Sequence, residues 1–154
     1  MTSRILFVCL GNICRSPLAE AAFNAEAKRR GLDAVAESAG TGTWNLGKAP
    51  DSRAQAVAKA AGHDISGRVA RRVTPADFAR YDRLIALDAH NLADLRAMAP
   101  PGTEAKLSLM LDAVPGRRGE AVADPYEGPA SGFHQTWRDV SEGAAALADN
   151  LASG

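Results

Sequence analysis

Two residues near the start of the chain, Cys9 and Arg15, have side chains and a spacing suited to chemistry on an oxyanion. A thiolate is a strong nucleophile, and a guanidinium presents a planar fork that grips two phosphate oxygens at once. The spacing therefore predicts attack of Cys9 on phosphorus while Arg15 holds the equatorial oxygens. Ser16, the next residue, is a candidate to donate a hydrogen bond to the sulfur, which would stabilise it as nucleophile and as leaving group.

The residues on either side predict the elements that position these groups. The apolar run at residues 5–8 is rich in β-formers and too short for a helix, so we expect a strand buried on both faces. Ser16 and Pro17 then open an Ala-rich segment, which predicts a helix with Ser16 as N-cap and Pro17 at its first position. The turn between strand and helix would direct its N–H groups at a phosphate-sized anion. The turn residues expected to contact such an anion are Leu10, Gly11, Asn12, Ile13 and Cys14.

A Cys-x5-Arg spacing is by itself a weak signal, because both residue types recur in any proteome. In the alternative interpretation, Cys9 is a small buried hydrophobe at a strand end and Arg15 is a solvated loop charge. The position between a buried strand and a Ser-Pro helix start favours the chemical interpretation.

The uninterrupted segment Cys9-Leu10-Gly11-Asn12-Ile13-Cys14-Arg15-Ser16-Pro17 resembles the phosphate-loop signature of the low-molecular-weight protein tyrosine phosphatases. Other segments resemble that family's further motifs in the same order: Ser38-Ala39-Gly40-Thr41, Trp44, Pro50-Asp51, Ala70-Arg71 and Asp124-Pro125-Tyr126. The resemblance covers essentially the whole chain. It implies a protein tyrosine phosphatase that acts on phosphotyrosine-containing proteins, binds phosphate or other oxyanions in the loop, and needs no cofactor and no metal.

The resemblance also implies roles for residues far from the first motif. Transfer of a phosphoryl group from a phenolic oxygen needs an acid to protonate that oxygen, and the resemblance assigns this role to Asp124. An Asp-Pro dipeptide is otherwise an ordinary turn signal. Tyr126 is expected to flank the substrate ring, and Trp44 to form a wall of the pocket. Glu127 stands where a second aromatic residue is common, so we expect a pocket that is less closed and less selective.

Two residues are expected to support the loop from behind. The resemblance implies that Ser38 hydrogen-bonds Asn12 and holds the loop in shape. Family members commonly have His where this chain has Arg68, bonded to the loop Asn. Either Arg68 takes over that support or Asn12 is held in another way.

Cys14 also has two interpretations. It could capture an oxidised Cys9 as a disulfide and so give a reversible off-switch, or it could fill a small apolar space beneath the loop.

Length and periodicity predict an α/β fold. With 154 residues and 46% hydrophobic content, one domain over residues 1–154 is expected. Apolar runs predict further strands at residues 34–38, 83–88 and 106–110, and helical periodicity predicts helices at residues 17–30, 51–61, 89–99 and 133–151. Thr74-Pro75 predicts a short helix with Thr74 as its N-cap. Gly40 and Gly42 are expected in a flexible connection. The predicted fold is a single-domain four-stranded parallel sheet with helices on both faces and the site at the carboxyl ends of the strands.

Composition argues against other classes of function. The formal net charge is zero, so nothing marks the chain for nucleic acid or anionic membranes. No apolar run approaches the roughly 20 residues that span a bilayer, no signal peptide is expected, and a reactive thiol favours a reducing compartment, which predicts a cytoplasmic protein. An arsenate reductase would need further cysteines as a relay, and Cys14 is the only other one. A phosphotyrosine-binding module without catalysis would lack a nucleophile or an acid, and this chain has candidates for both.

Overall fold

Four strands form one sheet in the order β2-β1-β3-β4, and every neighbouring pair is parallel. The computed structural model describes residues 1–153, so Gly154, the last residue of the predicted domain, lies outside the described residues. The strands are β1 (Ser3–Cys9), β2 (Ala34–Gly40), β3 (Arg83–Ala86) and β4 (Leu107–Leu109). The helices are α1 (Arg15–Arg30), α2 (Ser52–Ala60), α3 (Asp77–Arg80), α4 (Ala89–Met98) and α5 (Gly132–Ser153). Short 3₁₀ segments flank β4 at Glu104–Lys106 and Met110–Ala113.

Strand β1 is central because it is apolar on both faces. Ile5 and Phe7 pack into one hydrophobic cluster, while Leu6 and Val8 pack into another on the opposite face. None of these four side chains is exposed to solvent. Alternating residues of a strand point to opposite faces, so a continuous apolar run is the pattern expected of a strand covered on both sides.

Helices cover both faces of the sheet. The cluster that contains Ile5 also contains apolar side chains of α1, α2 and α5. The cluster that contains Leu6 contains those of α3 and α4. The predicted four-stranded parallel sheet with helices on both faces is therefore confirmed, and β1, α1 and β2 form the first β-α-β unit.

The start of α1 differs from the prediction. The helix begins at Arg15, and the residue at its N-cap is Cys14, which makes no side-chain cap hydrogen bond. Ser16 is thus wrong as N-cap, because its hydroxyl is used elsewhere: it contacts the Cys9 sulfur and accepts a hydrogen bond from Asn12. Asp51, by contrast, is confirmed as the N-cap of α2, since its carboxylate accepts the N–H of Arg53 at 2.8 Å.

Two further expectations are corrected. The second strand continues to Gly40, which is not in a flexible connection: its N–H donates to Arg71 and its carbonyl accepts from Val73. A side chain at this position would place its Cβ 2.7 Å from the carbonyl oxygen of Leu10, so only glycine lets β2 approach the turn so closely.

Thr74 is not an N-cap, because α3 begins at Asp77, whose carboxylate instead accepts the N–H of Thr74 at 2.8 Å.

Among residues 1–153, no helix is both long enough and apolar enough to cross a membrane.

Candidate active site

A cavity of about 420 Å³ opens where β1 ends. Its residues come from the turn after β1, from the segment after β2 and from the segment before α5. They are Cys9, Leu10, Gly11, Ile13, Cys14, Arg15, Trp44, Asn45, Asp124, Tyr126 and Glu127. The structure thus brings together all but two of the predicted nucleophile, acid and substrate-binding residues on the cavity surface. Asn12 and Ser16 lie directly behind it.

Residues 9–15, which we call the phosphate loop, direct their carbonyl groups away from the cavity. The carbonyl oxygens of Cys9 and Leu10 accept the N–H groups of Thr41 and Gly42, and that of Ile13 accepts the N–H of Asp51. The N–H groups of residues 10–14 donate to no acceptor among residues 1–153. A turn whose carbonyl groups are used outside and whose N–H groups are unengaged is the backbone pattern of an anion site.

Cys9 lies at the bottom of the cavity, at the last position of β1. Its side chain is almost fully buried, and its Sγ lies 3.0 Å from Oγ of Ser16. Oγ of Ser16 also accepts a hydrogen bond from Nδ2 of Asn12 at 2.8 Å. Because this bond uses a lone pair of the hydroxyl, the proton of Ser16 can point at the sulfur. That arrangement favours a negative charge on sulfur.

Arg15 supplies the positive charge beside Cys9. Only 3% of its side chain is exposed, and its Nη1 donates to Oδ2 of Asp88 at 2.7 Å and to the carbonyl of Val122 at 3.0 Å. Burial by itself would raise the pKa of Asp88, but the hydrogen bonds from Arg15 and from the N–H of Asn91 together hold that pKa below its usual value. The guanidinium is therefore fixed in place by a charged partner.

Asp124 stands on the other side of the same guanidinium. Its Oδ2 lies 3.6 Å from Nη2 of Arg15, and 48% of its side chain is exposed. Its Oδ1 accepts the N–H of Tyr126 at 3.1 Å. Residues 122–128, which we call the Asp124 loop, are further held by Arg53, which donates to the carbonyls of Tyr126 and Gly128 at 2.9 and 3.3 Å.

Two aromatic residues stand at the mouth of the cavity. Trp44 is 70% exposed and Tyr126 is 51% exposed. The ring of Trp44 lies over Gly42, where an added Cβ would come within 2.1 Å of the ring. A side chain at position 42 would therefore displace the Trp44 ring from this place at the mouth of the cavity. Such exposed aromatic faces are available to a flat aromatic ligand.

Asn12 holds the phosphate loop from behind. It is the one non-glycine residue among residues 1–153 with a positive φ, at 57°. Its Nδ2 donates to Ser16 and, at 3.0 Å, to Oγ of Ser38, while its Oδ1 accepts the N–H of Arg71 at 3.0 Å. These bonds favour a backbone conformation that costs a residue with a Cβ about 1–2 kcal/mol.

The structure decides between the two alternatives for Arg68. Arg68 does not contact Asn12; its Nε pairs with Oε2 of Glu20 at 2.6 Å. The other oxygen of Glu20 accepts a hydrogen bond from the hydroxyl of Ser38 at 2.8 Å, and Oγ of Ser38 accepts one from Nδ2 of Asn12. Asn12 is thus held by the Arg71 backbone, and Arg68 acts on it only through Glu20 and Ser38.

Cys14 is buried among apolar side chains beneath the loop. Burial first, and then the nearby carboxylate of Asp51, raise the pKa of its thiol to about 12. Cys14 is therefore protonated at neutral pH and fits the space-filling interpretation. The two cysteines are not joined by a disulfide, and capture of an oxidised Cys9 by Cys14 stays a prediction.

Sequence reasoning missed Glu20 and Arg53. Glu20 lies four residues after Ser16, and this helical spacing places the two side chains on one face of α1, which is the signal that could have found it. Arg53 had no such signal, since its contacts to the Asp124 loop span more than 70 residues. Among residues 1–153, no group of three or more His, Cys, Asp and Glu side chains is placed to hold a metal ion.

Comparison with known proteins gives a consistent result. Residues 4–154 match the model of the family described as low molecular weight phosphotyrosine protein phosphatase. A low molecular weight protein-tyrosine-phosphatase of Streptomyces coelicolor is 40% identical over 152 residues, which cover 96% of this chain and 92% of that protein. A low molecular weight phosphotyrosine protein phosphatase of Schizosaccharomyces pombe is 40% identical over 84% of this chain and 85% of its own length.

The fold agrees with these sequence relationships. A crystal structure of a protein tyrosine phosphatase from Entamoeba histolytica, with Hepes in its active site, superposes with a TM-score of 0.94. The two sequences are 33% identical, and the match covers 99% of each chain. The family match over nearly the whole chain and the agreement in fold together show that this chain belongs to the low molecular weight phosphotyrosine protein phosphatase family.

Proposed function

We propose that this protein hydrolyses phosphotyrosine in proteins through a phosphocysteine on Cys9, with Asp124 as general acid. The proposal treats the whole chain as one catalytic domain. One observation carries it: the Cys9 sulfur lies under a loop with unengaged N–H groups, 3.0 Å from the Ser16 hydroxyl. Arg15 and Asp124 line the same cavity. The names of the family and of the relatives in Streptomyces coelicolor and Schizosaccharomyces pombe support this activity.

In the first step, the Cys9 thiolate attacks phosphorus in line with the bond to the tyrosine oxygen. A P–S bond forms, the P–O bond breaks, and Asp124 gives its proton to the departing phenolic oxygen. Negative charge on the equatorial oxygens is stabilised by Arg15 and by the N–H groups of residues 10–15. The products are the dephosphorylated tyrosine side chain of the substrate and a phosphocysteine on the enzyme.

In the second step, water opens the phosphocysteine. The Asp124 carboxylate takes a proton from the attacking water, a P–O bond forms and the P–S bond breaks. The electron pair of that bond returns to sulfur as a thiolate, which the Ser16 hydroxyl stabilises as a leaving group. Inorganic phosphate leaves, and Asp124 is protonated again for the next cycle.

The phenyl ring of the substrate would lie between Trp44 and Tyr126, the two exposed aromatic residues at the mouth of the cavity. A planar ring gains from such flanking rings through stacking and through loss of apolar surface to water. A nucleophile that must stay reduced favours work in a reducing compartment such as the cytoplasm.

The test is hydrolysis of a phosphotyrosyl peptide, followed by rapid acid quenching of the enzyme with a ³²P-labelled substrate. The wild-type protein should release phosphate and retain acid-stable label on Cys9, in the presence of a metal chelator as well as without one. Cys9→Ser should abolish both turnover and label. It should still bind phosphate or vanadate, since the loop N–H groups and Arg15 make most of the contacts to the anion.

Three results would contradict the proposal. Turnover of Cys9→Ser near the wild-type rate would remove Cys9 from the mechanism. Binding of the phosphopeptide without release of phosphate would indicate a binding module. Reduction of arsenate with an added thiol, and no release of phosphate from the peptide, would indicate an arsenate reductase.

A further inference from the structure

Glu127 brings a carboxylate to the surface of the catalytic cavity. Besides the nucleophile Cys9, the residues of this cavity with charged side chains are Arg15, Asp124 and Glu127. The mechanism proposed above uses the first two and gives no role to the third. Glu127 stands where a second aromatic residue is common in the family, so the presence of a charge at this position needs an explanation.

The charge of Glu127 is uncompensated. Among residues 1–153, no side chain or N–H group forms an ion pair or hydrogen bond with its carboxylate. Arg53, which donates to the carbonyls on both sides of Glu127, is already paired with Asp51. Arg15 is likewise occupied by Asp88 and Val122. Glu127 is also exposed, so its carboxylate is accessible to a ligand.

The position of Glu127 relates this charge to the substrate chain. In the proposed mechanism, the phosphoryl group lies at Arg15 and the phenyl ring of the substrate lies beside Tyr126, the residue immediately before Glu127. Residues of the substrate that flank the phosphotyrosine lie at the mouth of the cavity, and Glu127 is part of its lining. A carboxylate there attracts a flanking Lys or Arg and repels a flanking Asp or Glu.

We propose that Glu127 sets the charge preference of this enzyme, which selects phosphotyrosine segments with Lys or Arg next to the phosphotyrosine over segments with Asp or Glu there. The inference rests on the proposed phosphatase function, whose substrate class it narrows. It also changes the expectation drawn from the sequence: the pocket has one aromatic residue fewer, and it discriminates by charge.

The expected effect is modest because the pairing takes place in solvent. An exposed ion pair changes affinity by about twofold to fivefold. Attraction of segments with basic flanks and repulsion of segments with acidic flanks both raise the ratio of kcat/KM for the basic segments to that for the acidic segments. We therefore expect Glu127 to account for about a tenfold preference for basic over acidic flanks, and the preference should fall as ionic strength rises.

The test uses three phosphotyrosyl peptides that differ only in their flanking residues, which are lysines, glutamates or glutamines. The ratio of kcat/KM for the lysine peptide to that for the glutamate peptide is measured in the wild-type enzyme, Glu127→Gln and Glu127→Lys. Any effect common to all substrates cancels in this ratio. The matched control is Glu104→Gln, which removes an exposed carboxylate beside β4, outside the cavity.

Glu127→Gln should lower the ratio by at least twofold and Glu127→Lys should lower it further, while Glu104→Gln leaves it unchanged. A ratio that stays within twofold in both Glu127 variants, with the glutamine peptide still hydrolysed by the wild-type enzyme, overturns the inference and leaves the phosphatase function intact. If the wild-type enzyme hydrolyses none of the three peptides, the proposed function is overturned and the inference with it.

Discussion

The phosphate loop and the Asp124 loop line the same cavity, and the protein holds them in different ways. The side chains of Cys9, Asn12 and Arg15 in the first loop are buried, whereas those of Asp124 and Tyr126 in the second are about half exposed. Buried, fully hydrogen-bonded polar groups give a rigid arrangement, while segments with few buried contacts open more easily.

The source of the hydrogen bonds explains this difference. The phosphate loop is bonded by β2 and the segment that follows it, by the N–H of Arg71 and by the N-cap residue of α2. The exposed part of the Asp124 loop has two internal bonds, from the N–H of Tyr126 to the Asp124 carboxylate and from the N–H of Gly128 to the carbonyl of Pro125. Its other bonds come from a single side chain, that of Arg53.

The contrast matches two chemical tasks of the proposed mechanism. Stabilising the charge on a transferring phosphoryl group requires donors that are already in place, because any reorganisation at that moment adds to the barrier. Delivering a proton to one leaving group and then taking one from water requires a carboxylate that solvent can reach. The rigid loop suits the first task and the exposed loop suits the second.

The largest effect that tests this comparison is expected from Asp124→Asn. An amide keeps the oxygen that accepts the N–H of Tyr126, so the loop should retain its shape while its proton donor is lost. Hydrolysis of aryl phosphates with poor leaving groups should slow by about two to four orders of magnitude, the usual contribution of a general acid. The measurement is kcat for a series of aryl phosphates that differ in the acidity of the phenol.

The loss should shrink for phenols that leave readily without a proton, because the acid then contributes less. An equal loss over the whole series would mean that Asp124 acts structurally and that the proton comes from another group.

Asn12→Ala tests the rigid side of the comparison. It removes the bonds to Ser16, Ser38 and the N–H of Arg71, and places alanine at a φ of 57°. We expect kcat/KM to fall by about 10²-fold, the cost of a displacement of roughly 1 Å in a preorganised site. Phosphate should also bind more weakly as a competitive inhibitor, because the anion and the transition state use the same N–H groups.

Asn12→Gly is the control that separates strain from hydrogen bonding, since glycine accepts a positive φ without cost. If Asn12→Gly behaves like wild type, the side-chain bonds of Asn12 contribute nothing to catalysis, and the rigidity of the loop has another origin.

How much of these two loops was predictable depends on the distance along the chain over which their contacts act. The position of the phosphate loop follows from local signals, an apolar run before Cys9 and a helix after Arg15, and the predicted parallel sheet is confirmed. The support of Asn12 does not follow, because its bond to the N–H of Arg71 spans 59 residues and uses a backbone group that any residue would supply.

Ser16 shows the same limit at short range. A Ser-Pro pair before an Ala-rich segment predicts an N-cap, and that prediction is wrong, because the Ser16 hydroxyl faces the sulfur of Cys9. Capping and stabilising a thiolate both use a hydroxyl beside a helix N-terminus. Local sequence cannot decide between them when the decisive partner lies on a neighbouring strand.

Arg53→Met tests the Asp124 loop, the more exposed of the two loops. It removes both bonds to the carbonyls of the Asp124 loop and the ion pair with Asp51, and it keeps the backbone bond from Asp51 to Ile13 of the phosphate loop. The kcat for poor leaving groups should fall by several-fold, less than for Asn12→Ala, because the loop stays anchored at Val122. The N–H of Val122 donates to the carbonyl of Leu87 at 2.8 Å, and its carbonyl accepts from Arg15 at 3.0 Å. Inhibition by phosphate should be unchanged.

Arg96→Met, which removes an exposed arginine of α4, is the matched control and should alter neither value. An Arg53→Met variant that binds phosphate more weakly would show that the two loops are coupled, which contradicts their separation.

The smallest effect is expected from Arg68→Ala, which reaches Asn12 only through Glu20 and Ser38. Burial raises the pKa of Glu20, and the charge of Arg68 partly opposes that rise. A folded-state pKa above the unfolded value means that the folded protein binds more protons, so this group lowers stability as pH rises through the folded pKa. Removing Arg68 raises the pKa of Glu20 further and enlarges that loss.

Arg68→Ala should therefore leave stability unchanged at acidic pH, where Glu20 is protonated, and reduce it at neutral pH by about 1 kcal/mol or less, since Arg68 is largely exposed. Urea unfolding at the two pH values measures the difference, and Glu20→Gln in the same background should abolish its pH dependence. An equal loss at both pH values would show that Arg68 contributes by packing and not through the charge of Glu20.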